Sequence, residues 1–136
     1  MPSTTISMNA FACQYMDALV ERKLNEITKN SLDTADFPYT GIHSGLGPPD
    51  RSLIDAVHHL STVPPSTFHD HEPEGWYEDN FAWWMLFPKS VQPDGTVFQL
   101  RVTLIARRET NEWKVIHWHV SEAVDRAAAF GETPRV

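Results

Sequence analysis

The stretch Arg101–Ser121, RVTLIARRETNEWKVIHWHVS, constrains this chain more than any other. Two runs of β-branched and apolar residues flank a short polar turn at Glu109–Glu112. That is the pattern of two long antiparallel strands joined by a hairpin. Strict alternation on the second run puts Trp113, Val115, His117, His119 and Ser121 on one face, and Ile116, Trp118 and Val120 on the other.

The rest of the chain supplies what such a strand pair must pack against. Met8, Phe11, Ala12, Tyr15, Met16 and Leu19 fall three and four apart and predict a helix, capped by Ser7 or Asn9 and ending near Arg22. A second short helix carries Leu24 and Ile27. Asp36–His43 reads as a short strand, with Pro38 tolerated only at a start or an edge. After the breaking loop Ser44–Pro49, Asp50 is placed to cap a third helix that presents Leu53, Ile54, Val57 and Leu60. Pro64-Pro65 ends it, and the period then changes to two. Residues 66–77 predict a weak polar strand, Asp79-Asn80 a turn, and Phe81–Pro88 a strong strand apolar on both faces. Pro93-Asp94-Gly95 marks a hairpin into Thr96–Arg108, followed by Glu112–Glu122. Residues 124–136 are expected to be a frayed tail. Helices followed by a strand meander make an α+β chain. One sheet face packs the helices; a second copy of the same sheet most simply covers the other, which predicts a homodimer.

At 136 residues the chain is expected to form a single domain over residues 1–136. The net charge of −7, with no cluster of Lys and Arg, argues against a dedicated nucleic-acid binder. No window reaches the length of a membrane span. Cys13 is the only cysteine, so no internal disulfide can form. With no signal-peptide pattern in MPSTTISMNA, the expected location is cytoplasmic.

The closing strand Trp113 to Ser121, with Lys114-Val115-Ile116-His117-Trp118-His119-Val120-Ser121, resembles that of the SnoaL-like branch of the nuclear-transport-factor-2-like superfamily. It is also similar to the closing strand of the calcium/calmodulin-dependent kinase association domain. Arg101–Arg108 fits the family's penultimate strand, and Phe11–Gly41 its opening helices and first strand. The resemblance implies a cone-shaped barrel, in which N-terminal helices pack against a strongly curved, mostly antiparallel sheet with a pocket at the open end. Homodimers through the outer sheet face are usual there. The group includes ketosteroid isomerases, polyketide cyclases, dehydratases and assembly domains, and fold alone does not choose among them.

The same resemblance turns Trp118 and Val120 into the cone and His117 and His119 outward. The matching inward register holds Phe81, Trp83, Met85 and Phe87, then Gln99, Arg101, Thr103 and Ile105. The expected pocket wall is therefore Tyr15, Tyr39, Trp83, Met85, Arg101, Thr103, Trp118 and Val120, suited to a small, largely apolar molecule. Arg101 on that face would need a partner such as Asp17 or Asp55, or a ligand carbonyl. Candidates for proton transfer are Asp17, Asp55 and His59, the last two sharing a helix face four residues apart. His117-x-His119 and His69-x-His71 have metal-ligand spacing, but the cone keeps these pairs apart, so neither a metal nor another cofactor is expected. Two functions follow: a cofactor-independent isomerase, cyclase or dehydratase, or a ligand-binding or assembly domain without turnover.

Overall fold

The computed structural model describes residues 1–45 and 47–124. The segment 125–136, which holds nearly all of the expected tail, lies outside the described residues. Helix α1 (Ile6–Val20) starts at Thr5, whose hydroxyl accepts the Met8 amide, rather than at Ser7 or Asn9. Its buried face is Met8, Ala12, Tyr15, Met16 and Leu19, the stripe that spacing predicts. Then follow α2 (Leu24–Lys29), β1 (Thr40–Ile42) and α3 (Leu53–Ser61). The strands β2 (Thr67–His69), β3 (Glu74–Glu78), β4 (Phe81–Leu86), β5 (Lys89–Val91), β6 (Val97–Glu109) and β7 (Glu112–Glu122) complete the order.

The sheet runs β1-β7-β6-β4-β3, with β5 pairing β6 beyond the end of β4 and β2 pairing β5. All pairs are antiparallel except β1 with β7. The architecture is α+β: N-terminal helices against a curved, mixed, unclosed sheet. Its core joins the buried face of α1 to Ala82, Trp84, Leu86, Leu100, Val102, Leu104, Val115 and Trp118.

The face assignment of β4 and β6 is the reverse of the sequence expectation. The hairpin turn is Thr110-Asn111, both at positive φ, the twist that a two-residue loop favours. Glu109 opposes Glu112 and Ala106 opposes Val115, but Ile105 opposes His117, so Ile116 is an extra residue on β7. A sheet with perfect alternation would set Thr103 opposite Trp118, and the two would share a face. The bulge sets Leu104 there instead, and a one-residue shift exchanges every side chain between faces. Arg101 and Thr103 therefore point outward, and Leu100, Val102 and Leu104 point in. Through β6–β4 pairing Trp83 and Met85 also face out, while Trp84 is buried. The same bulge returns Val115 and Trp113 to the inner side, where Trp113 meets Trp84 edge-on.

Two indoles set the inner layer. Trp118 lies over Gly41 and Trp84 over Gly75, each its direct partner on the neighbouring strand. A Cβ on either glycine would fall inside the indole's contact distance, so neither position has room for a side chain.

Candidate functional site

Trp118 divides the interior in two. On one side its Nε1–H donates to the Tyr39 hydroxyl at 2.7 Å. Tyr39 and Tyr15 hydroxyls are 2.7 Å apart, Tyr15 reaches Ser31 Oγ at 2.8 Å, and Ser31 donates to the Ile27 carbonyl at 2.5 Å. An indole can only donate and a carbonyl can only accept. The chain therefore runs one way, Trp118 to Tyr39 to Tyr15 to Ser31 to Ile27. Burial raises Tyr39 to about 12 and Tyr15 well above the usual phenol range. Both hydroxyls are spent inside the core, and neither lines the cavity, contrary to expectation.

On the other side of Trp118 lies a cavity of about 430 Å³. Its apolar wall includes Leu19, Leu60, Phe68, Leu100, Trp118 and Val120, and its polar lining is Arg22, His43, Ser44, His59, Ser66, Ser90, Gln92 and Glu122. Trp118 and Val120 are the pocket residues that sequence and structure share. Met85, Arg101 and Thr103 meet instead on the convex face, around a depression of about 240 Å³ with Phe87, His119 and Ser121. Arg101 is exposed there, which removes the need for a buried acidic partner.

Of the proton-transfer candidates, His59 lines the cavity. Asp55 is exposed on the first turn of α3, and Asp17 bonds His71 Nε2 at 2.7 Å; neither carboxylate lines the cavity. The residues that join His59 are His43 and Asp50. Asp50 does not cap α3; Ser52 does, accepting the Asp55 amide. Asp50 instead pairs with Gly41 through both backbone groups, at 2.8 and 3.0 Å. This bridge fixes its carboxylate behind the two imidazoles. His43 Nε2 bonds Asp50 Oδ2 at 2.5 Å, and His59 Nδ1 lies 3.5 Å from the same oxygen. The rings of His43 and His59 are 3.9 Å apart, and His43 stands edge-on to Trp118 at 4.7 Å. Burial pushes the His43 pKa down, with the nearby His59 and Arg22 adding to the effect and Asp50 opposing it.

Sequence reading missed this cluster because its members lie on three elements, after β1, in a bridge and on α3, with no spacing to link them. Asp50 was also legible as a cap, which concealed it. Neither histidine pair that spacing singles out joins a cluster of three donor residues among the described residues. His117 Nδ1 contacts Thr40 Oγ1 at 2.7 Å while His119 is exposed. His69 pairs with Thr67 and His71 with Asp17, because Asp70 and Glu72 at positive φ take the chain out of its strand.

No protein-family model and no curated protein matches the sequence. Solved structures do. A nuclear-transport-factor-2-like protein of unknown function from Pseudomonas putida superposes with a TM-score of 0.72 at 16% identity, over 93% of this chain and 94% of that one. The hub homology domain of CaMKII from Chlamydomonas reinhardtii gives 0.70 at 14% identity, over 90% and 99%. A candidate ketosteroid isomerase from Parabacteroides distasonis gives 0.68 at 20% identity, over 88% and 89%. These superpositions cover most of both chains in each case, and the chain has the nuclear-transport-factor-2-like fold.

Proposed function

We propose that the chain binds a small, largely apolar molecule in the cavity beside Trp118 and moves a proton on it with His43 and His59. The observation that carries this reading is a cavity of mixed lining, walled by Trp118, Phe68 and aliphatic side chains, that holds two imidazoles sharing one buried carboxylate. Asp50 orients His43 through Nε2 and leaves the other ring nitrogen without a protein partner among the described residues. Burial favours the neutral, proton-accepting form of that ring. The supported chemistry is isomerisation, cyclisation or dehydration at a carbon acid, without a nucleophile.

The test has two parts. Calorimetry with 2-naphthol, a flat apolar molecule with one hydroxyl, is expected to show one site per chain that is lost in Val120→Trp. Conversion of a β,γ-unsaturated cyclic ketone to its conjugated isomer, followed by absorbance, is expected to fall at least about 100-fold in His43→Gln. Binding that survives Val120→Trp overturns the pocket; turnover unaffected by His43→Gln overturns the proton transfer.

A second reading, a homodimeric binding or assembly domain, draws on the convex face. Phe81, Trp83 and Met85 on β4 are each 38% exposed in one row, with Trp76 directly beside Trp83. A partly exposed row of large apolar side chains on the convex face suits a second copy of the same face.

A further inference from the structure

We propose that His43, Asp50 and His59 form a mononuclear site for a divalent transition-metal ion at the edge of the cavity. One donor atom from each residue lies within 4.8 Å of the other two. Metal–nitrogen and metal–oxygen bonds of about 2.0–2.2 Å require donor atoms about 3.0–3.5 Å apart. The His59–Asp50 separation of 3.5 Å already fits. The His43–Asp50 separation of 2.5 Å has only to open by less than about an ångström, as the ion replaces the proton the two now share.

Two imidazoles and one carboxylate suit zinc, iron(II) or cobalt(II), whereas magnesium and calcium prefer sets made of oxygen alone. The donors sit on fixed backbone. Asp50 is pinned to Gly41 in both directions, His59 lies within α3 and His43 follows β1 by one residue. His43 and His59 both line the cavity, so the site stands at its edge. One group opposes a cation: the Arg22 guanidinium, also on this edge. It is turned onto the carbonyls of Leu19, Val63 and Pro64.

The inference uses the edge of the proposed pocket but depends neither on ligand binding nor on turnover. The test uses untagged protein stripped with EDTA and titrated with Zn²⁺ by calorimetry and with Co²⁺ by visible absorption. One ion per chain is expected, with a cobalt spectrum of nitrogen and oxygen ligation and a raised Tm. His59→Gln and Asp50→Asn are expected to weaken binding at least about 10-fold, and His119→Gln on the outer face to leave it unchanged. Should Asp50→Asn fail to fold, the half-exposed His59 still decides the matter. Absence of saturable one-to-one binding at micromolar metal overturns the site, as does binding lost in His119→Gln but kept in His59→Gln. Titrating 2-naphthol into the EDTA-stripped protein separates the two proposals. Naphthol binding without metal binding removes the metal site alone; metal binding without naphthol binding removes the pocket reading alone.

Discussion

Replacing Tyr39 with phenylalanine removes one oxygen from the middle of the one-way chain between Trp118 and Ile27. Trp118 is 1% exposed and its Nε1–H has the Tyr39 hydroxyl as acceptor. The indole is held over Gly41 and cannot turn to find another. A buried donor left without a partner costs about 1–3 kcal/mol, and the lost Tyr39–Tyr15 bond adds about 1 kcal/mol. The expected cost is therefore about 2–4 kcal/mol, a fall in Tm on the order of 10 °C for a domain of this size. Tyr15→Phe should cost less, because the orphaned group is then a hydroxyl that can rotate. Ser31→Ala should cost least, since that end of the chain is only partly buried. Urea denaturation at equilibrium gives all three, provided the m-value is unchanged. A double-mutant cycle with Trp118→Phe isolates the indole–phenol bond, with coupling of about 1 kcal/mol or more expected. If Tyr39→Phe costs less than about 0.5 kcal/mol, the one-way chain is refuted.

Three more perturbations follow. Gly75→Ala drives a methyl group into Trp84 and should cost at least about 1–3 kcal/mol in the same denaturation assay, while Gly95→Ala, in open space but at a φ of 88°, should disturb only the turn. Trp83→Glu should leave circular dichroism unchanged yet weaken self-association at least about 10-fold in sedimentation velocity; unaltered association would remove the convex face as an interface. The pKa of His117 is lowered, chiefly by burial and then by His119. The folded chain thus binds fewer protons there than the unfolded one. The stability this contributes is held above the unfolded value of about 6.5 and is lost as pH falls from there through the folded value. The urea midpoint should drop as pH falls below about 6.5, and His117→Gln should remove part of that drop.

Periodicity located the helices and strands because burial enforces it: the stripe from Met8 to Leu19 and the closing hairpin lie where spacing puts them. Alternation could not say which face of Phe81–Leu86 turns inward, since both faces are apolar. The choice rests on a single extra residue, Ile116, which no local pattern in the sequence marks. One missed bulge sent Arg101, Thr103, Trp83 and Met85 to the wrong side together, while Trp118 and Val120, beyond it on the reference strand, came out right. The candidate site was less legible still. Only His59 among its three members was named, because Asp50 and His43 gain their roles from a backbone bridge to Gly41. The opposed glycines are the one signal that would have helped: Gly41 and Gly75 are where large inward rings demand room.

That bridge has a counterpart at the far end of the sheet. Asp50 occupies the free backbone groups of Gly41 on the outermost short strand, and Ser3 does the same for Tyr77 on β3. These two rims are thus each engaged at one position by a residue from elsewhere in the chain, while β2 borders the sheet beside β5. An incoming strand from another molecule finds those central amides and carbonyls already engaged, which discourages runaway growth by strand addition. At these two rims, broadside contact, ring against ring, displaces no paired backbone group, whereas lengthening the ladder would.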